Sequence, residues 1–156
     1  MLAEKKLITL EKAIEISRNS RGNQNTIGLT NGGFDIIHSG HCKLFEFSKK
    51  YCNILLVGVN IDSIIKKLKG SNRPINDMQE RIKVLTYNKD IDYVFHFDFE
   101  NAYEIVKAIV PDIYIQGKEY EGKLTREEAL CRVLYLEKDD KSTTSTMRKI
   151  RHDNRR

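Results

Sequence analysis

No two cysteines in this chain are spaced as a metal clip or a redox pair. The three present, Cys42, Cys52 and Cys131, are odd in number and lack any C-x-x-C spacing, so neither a disulfide framework nor a zinc site is suggested, and reduced thiols in a cytoplasm fit best. Also missing is any apolar run approaching the roughly 20 residues that cross a bilayer. Met1 to Lys6 leads into a charged helical pattern instead of the apolar core of a signal peptide, so the expectation is a soluble, unprocessed cytoplasmic protein with no membrane partner. No internal repeat, low-complexity linker or domain boundary is present. Excess charge is scarce outside the C-terminus. Of the net +5, the segment 147–156 supplies +4, from Arg148, Lys149, Arg151, Arg155 and Arg156 against Asp153, which leaves +1 for the body. With no aromatics interleaved, that tail reads as a solvated basic end and not as a nucleic-acid interface.

What the chain does have is the ordinary composition of one globular domain, 156 residues with 40% apolar and 31% charged side chains. Short apolar runs alternate with helical periodicity. Thr9 caps a helix reaching about Ser17, with Leu10, Ala13, Ile14 and Ser17 on one face. Strands are expected at 27–30, 54–59, 93–97, 113–115 and 133–136. Helices are expected at 41–50, 61–68, from Asn76 with Gln79 in the capping-box position, at 102–109 ahead of Pro111, around 126–131, and from about Thr144. Such alternation implies parallel strands joined by right-handed crossovers, a doubly wound, Rossmann-like α/β sheet in a single domain over 1–150 with a basic tail at 151–156. Its ligand crevice lies at the carboxyl ends of the strands, where Asn31 to His41 and Gly117 to Tyr120 fall.

The segment Gly32-Gly33-Phe34-Asp35 followed by His38-Ser39-Gly40-His41 carries the chemistry. A strand entering a glycine turn and then a helix start is an anion site, because free N–H groups and the positive dipole end point at the ligand and glycine admits a phosphate closely. His38 and His41, three residues apart, share a helix face and can both donate to one triphosphate, with Gly40 leaving room between them. Composition alone would give roughly 0.006 chance occurrences of H-x-G-H in such a chain. Three further segments fit a phosphate site. Lys66, Lys67, Lys69 and Arg73, beside Gly70 and Pro74, read as a mobile basic loop that closes over a phosphorylated substrate. Arg81 is either a bidentate phosphate clamp or only a surface ion pair with a neighbouring Glu or Asp. Ser142, Thr143 and Thr144 offer hydroxyls and N–H groups as a second anion cradle at a helix start. Asp35 could orient a histidine, meet a substrate hydroxyl or stabilise the turn.

In this order, TNGGFDIIHSGH, VGVNIDSIIKKLKGSNRPINDMQERIKVL, VPDIYIQGKEY and KSTTSTMRKI resemble the cytidylyltransferase-like nucleotidyltransferases, most closely the adenylyltransferase domain of bacterial ADP-heptose synthesis. The likeness runs from about Leu7 to Ile150 and includes the leading helix. It implies that Gly33, Phe34, His38, Gly40, His41, the backbone at Gly117 and the turn Ser142 to Thr144 meet the nucleotide, and that Lys66, Lys69 and Arg73 serve phosphate groups. It further implies Mg²⁺ held through the nucleotide phosphates, a nucleoside triphosphate and a phosphorylated sugar or polyol as substrates, a homodimer, and a separate kinase upstream. His38, His41, Lys66 and Lys69 would carry catalysis by charge neutralisation. The chain differs from the pattern where Gly33 replaces a cysteine, where Lys118-Glu119 replaces Gly-Asp, and at Asp140-Lys141. GKEYEGKL is also similar to the glycerol-3-phosphate cytidylyltransferases, so CTP with a polyol phosphate is the alternative activity, and a non-catalytic nucleotide-binding module the alternative of another class.

Overall fold

The computed structural model describes residues 4–137. Five strands, β1 (Ile27–Gly32), β2 (Ile54–Asn60), β3 (Tyr93–Phe97), β4 (Ile113–Gly117) and β5 (Arg132–Leu136), form one fully parallel sheet in the order β3-β2-β1-β4-β5. Six helices connect or precede them: α1 (Leu10–Ser20), α2 (Ser39–Lys49), α3 (Asp62–Lys69), α4 (Met78–Thr86), α5 (Ala102–Ile109) and α6 (Thr125–Glu128). The expected α/β class and doubly wound sheet are therefore present. The expected helix from Thr144 and the basic tail lie outside the described residues.

Period-two alternation divides the core between the two faces of the sheet. Leu55, Val57 and Val59 pack with Phe34, Phe45, Ile82 and Leu85 from the α2 and α4 side. Leu29, Leu56, Phe95 and Phe97 pack on the other side with Ala13 of α1 and Ile105, Val106 and Ile109 of α5. Leu7 bridges to Val94 on the β3 edge, so the segment before α1 covers what would otherwise be an open edge. Among the described residues no helix is long and apolar enough to cross a membrane.

Local chemistry moved three boundaries. Thr9 caps α1 as expected, accepting from Lys12 N–H, but the helix runs three residues further, to Ser20, whose hydroxyl bonds back to Ile16 C=O. The lysines of the expected mobile loop instead occupy the last turn of α3, which ends at Gly70 with φ 99°, a conformation reserved for glycine. The cap of α4 is Asp77, accepting from Glu80 N–H, and not Asn76, because both the backbone and the side-chain amide of Asn76 are bonded to Asp35.

β1 and β4 meet at the point where strand order reverses. Their register pairs Gly28 with Ile113 and Leu29 with Tyr114, early in both strands, and the crevice lies beyond that pairing, toward Gly32 and Gly117. Farther along the sheet, Gly58 on β2 leaves space for two rings: a Cβ there would lie 2.9 Å from Phe97 Cε1 and 3.0 Å from Phe95 Cζ. Both rings are buried, so Gly58→Ala should overpack the core and lower unfolding free energy by about 1–3 kcal/mol, seen as a reduced urea midpoint with an unchanged m-value.

Candidate active site

The site begins with the turn that leaves β1. Phe34 takes the left-handed conformation (φ 48°) and its ring is buried, contacting the His41 ring edge-on at 5.4 Å and Phe45 at 5.5 Å. Its side chain thus supports a histidine, and only its backbone is left for a ligand. α3 approaches the turn so closely that a Cβ on Gly33 would stand 3.3 Å from Ile65 Cδ1 and 3.9 Å from Lys69 Nζ. The cysteine of related turns would press on Ile65 by a few tenths of an ångström and touch Lys69 without displacing it.

His38 is the N-cap of α2. Its Nδ1 accepts from Gly40 N–H at 3.1 Å, while His41 Nδ1 accepts from His38 N–H at 3.3 Å, a reciprocal capping box built from two imidazoles. The rings stack with centroids 3.9 Å apart. An imidazole whose Nδ1 accepts a hydrogen bond carries its proton, when neutral, on Nε2. The two bonds therefore fix both rings as Nε2–H donors at a helix N-terminus. Burial, then the charges of His38 and Lys69, bring the His41 pKa down to about 4, so this ring is neutral at pH 7.

Lys69 reaches the same turn, and its pKa lies below the ordinary lysine value through burial, then Arg73 and Arg81, against the opposing charge of Asp35. Lys66, one turn earlier on α3, is exposed, and Lys67 turns away to pair with Glu100. Arg73 Nε donates to Asp35 at 2.6 Å.

Two readings of the sequence need correction. Arg81 is not a phosphate clamp: its side chain has no solvent exposure, and its guanidinium donates to Gly33 C=O, to Asn76 C=O (3.1 Å), to Asn60 C=O (2.8 Å) and to Asp62 Oδ1 (2.7 Å). Of the two alternatives, the carboxylate pairing is the one present, but its arginine is buried and not at the surface. Asp35 does not offer itself to a substrate hydroxyl either, since it is 4% exposed and already accepts from Arg73 and from the N–H groups of Ile75 and Asn76. Burial alone would raise its pKa, but the bonds from Asn76, Ile75 and Arg73 outweigh that and hold it below the ordinary value.

Across the crevice stands a network the sequence reading missed. Gln116 Nε2 donates to Tyr114 Oη (2.7 Å) and to both the backbone and side-chain oxygens of Asn31 (3.2 Å each), and Tyr114 Oη donates to Asn31 Oδ1 at 2.6 Å. A polar Asn and Gln at the ends of two buried strands was the available signal. Beyond them, the Glu119 carboxylate lies against Gly117, where a Cβ would be 2.7 Å from its Cδ, and Lys118 pairs with Glu137. The two residues that depart from the related pattern thus cover the β4 end of the crevice. Ser142, Thr143 and Thr144 lie outside the described residues.

Residues 29–150 match the cytidylyltransferase-like family. The chain belongs to that family. A nucleotidyltransferase is what the cytidylyltransferase-like membership indicates, as the motifs implied. Among curated relatives, the bifunctional protein HldE of Aliarcobacter butzleri is 42% identical over 129 residues, covering 81% of this chain and 27% of that protein. HldE of Wolinella succinogenes is 34% identical over 154 residues, 95% of this chain and 32% of that protein. The chain therefore spans less than a third of the length of these relatives. Among solved structures, the lipopolysaccharide core biosynthesis protein from Thermoplasma volcanium matches with a TM-score of 0.59 at 24% identity, over 76% of this chain and 99% of that one, a likeness of fold.

The neutral His41 has a consequence for stability. Because its folded pKa, about 4, lies below the ordinary value of 6.5, the unfolded chain takes up the proton first. The stabilisation is complete above pH 6.5 and is lost as pH falls toward 4. His41→Asn should remove this component, so the stability difference between wild type and variant in urea should shrink between pH 7 and pH 4.5; parallel curves would contradict a buried neutral His41.

Proposed function

We propose that this cytidylyltransferase-like protein transfers an adenylyl group from ATP to the phosphate of a heptose 1-phosphate, releasing pyrophosphate. The observation that carries the reading is the pair of imidazoles whose Nδ1 atoms are tied to backbone N–H groups, leaving two Nε2–H donors beside the first turn of α2. That is a site for a polyanion that gains negative charge on the oxygens being displaced. The acceptor is inferred from the HldE relatives and from the motif resemblance to ADP-heptose synthesis.

In the proposed reaction a phosphate oxygen of the acceptor attacks the α-phosphorus, a new P–O bond forms, the bond to the β-phosphate breaks and pyrophosphate carries away the electron pair. No protein nucleophile is required. His38 and His41 donate to the triphosphate as its charge shifts, and Lys69 supplies a cation from α3. The carboxylates nearest the turn, Asp35 and Asp62, are engaged by Arg73 and Arg81, so Mg²⁺ would be held by the nucleotide's own phosphate oxygens. Bound there, it supplies further charge neutralisation and orients the leaving group. The chemistry requires an acceptor that arrives already phosphorylated, and the resemblance to ADP-heptose synthesis suggests a kinase upstream as its source. Three free thiols support a reducing, cytoplasmic setting.

Pyrophosphate release should occur with ATP, Mg²⁺ and heptose 1-phosphate, and His41→Ala should lower kcat on the order of 100-fold or more, the cost of one donor worth about 2.7–4 kcal/mol in the transition state. Turnover with CTP and glycerol 3-phosphate instead would replace the substrate assignment. Near-normal turnover in His41→Ala would remove the histidine from its role.

A further inference from the structure

The ladder between β1 and β4 ends with the pair Leu29 and Tyr114, and two residues further on a side chain takes the place of the missing backbone bonds. Gln116 Nε2 donates at 3.2 Å to the Asn31 backbone carbonyl, so one buried amide ties the two strands where they separate to form the crevice. This contact fixes which way both amides face. A backbone carbonyl only accepts, so the Gln116 atom against it is the nitrogen. The Asn31 side-chain atom 3.2 Å from that nitrogen is then the oxygen, and it also takes the Tyr114 hydroxyl proton at 2.6 Å. Tyr114 is free to give its proton there because its oxygen accepts from Gln116 at 2.7 Å.

Asn31 Nδ2 is what this network leaves over. No described residue accepts from it, and it is not closed off from solvent as the Thr30 hydroxyl on the same strand is, since Asn31 is only half-buried. A neutral donor is thus held outward immediately before the glycine turn. Apolar residues at the three positions would join the strands without desolvating polar groups, so the donor that the network orients is the better reason for it.

The face it occupies says what it meets. Period two places Asn31 with Leu29 and Tyr114 on the α1 and α5 side of the sheet, whereas Phe34 and Phe45, which support His41, pack on the α2 side. In the proposed reaction the histidines hold the leaving pyrophosphate, and displacement at phosphorus sets the attacking and leaving oxygens on opposite sides of it. The acceptor therefore approaches from the side away from α2, which is the side of Asn31. Phosphate is matched best by cations, whereas an uncharged amide N–H matches an uncharged oxygen.

We propose that Asn31 is a specificity-determining residue whose Nδ2 donates to a hydroxyl of the acceptor's sugar or polyol portion, with Gln116 and Tyr114 as positioning residues that hold it in that orientation. The inference rests on the proposed transfer to a phosphorylated sugar.

Calorimetry tests it on the full chain saturated with Mg²⁺ and α,β-methylene-ATP, or the cytidine counterpart if that is the nucleotide bound. The ligands titrated are heptose 1-phosphate, glycerol 3-phosphate and methyl phosphate, of which the last carries no hydroxyl. Asn31→Ala should weaken the tighter of the two hydroxylated ligands by about tenfold, the loss of one hydrogen bond, while methyl phosphate and the nucleotide analogue move by less than about twofold. Gln116→Met, similar in volume, should weaken the same ligand by about fivefold in the wild-type background and by less than about twofold beside Asn31→Ala, because Gln116 acts through Asn31. A merely structural role for Gln116 would lower binding of every ligand alike. The proposal is overturned by unchanged binding of the hydroxylated ligand in Asn31→Ala, by a loss that falls on the nucleotide analogue instead, or by an equal loss for methyl phosphate. It is overturned equally by a Gln116→Met effect that persists without Asn31, or by a wild-type protein that binds neither hydroxylated ligand more tightly than methyl phosphate. Turnover with heptose 1-phosphate is scored separately in wild type: its absence alongside the predicted pattern for glycerol 3-phosphate removes the heptose assignment and leaves the role of Asn31 standing.

Discussion

Arg81 is a cation without solvent exposure, and the ligand end of the sheet is arranged around its guanidinium. Four acceptors from four places in the sequence converge on it: Gly33 in the turn after β1, Asn60 at the end of β2, Asp62 at the start of α3 and Asn76 before α4. A lysine could not do this, since it has one nitrogen, whereas the planar fork of arginine spans acceptors that face different directions. Burying the charge is tolerable because backbone carbonyls and one carboxylate satisfy it together. The glycine turn is thereby fixed relative to α3, and with it the distance from Lys69 to the histidines.

Asp35 extends the same scheme one layer outward, with the signs reversed. Here a buried carboxylate gathers two backbone N–H groups and a guanidinium. The turn beside these two pairs is lined by donors, the Nε2–H groups of the imidazoles and the Lys69 ammonium. Burial first, and neighbouring cations second, hold the Lys69 pKa low and keep His41 neutral. The neutral imidazole of His41 has a specific use. It donates a hydrogen bond without competing for the proton, and a bound triphosphate meets a donor that needs no reorganisation.

Much of this was legible in the sequence, for definable reasons. Alternating apolar runs gave the five strands because a parallel sheet buries both faces and writes unbroken runs such as Leu55 to Val59. The histidine site was legible because its parts are contiguous, from Gly32 to His41. Arg81 and Asp35 were read as open between structural and ligand roles, since all partners but Asn76 lie 19 to 48 residues away for Arg81, and all lie 38 to 41 away for Asp35, distances over which a local pattern carries no information. The same limit hid Asn31, Tyr114 and Gln116, which are joined across 83 to 85 residues. The basic segment was read as a loop although the expected helix at 61–68 already held Lys66 and Lys67; Ile64 and Ile65, buried at helical spacing from Leu68, carry the helix one residue further, through Lys69.

The central claim is that two backbone-tied imidazoles present Nε2–H groups to a nucleotide's phosphates. Long-range ¹H–¹⁵N correlation of the histidine rings at pH 7, with and without ATP and Mg²⁺, tests it most directly. The account predicts that His41 in the free protein is neutral with its proton on Nε2, and that the Nε2 signals of both His38 and His41 shift on nucleotide addition while their Nδ1 signals keep the signature of an acceptor. A proton on Nδ1 of either ring, or a nucleotide that binds without moving the Nε2 signals, would contradict it.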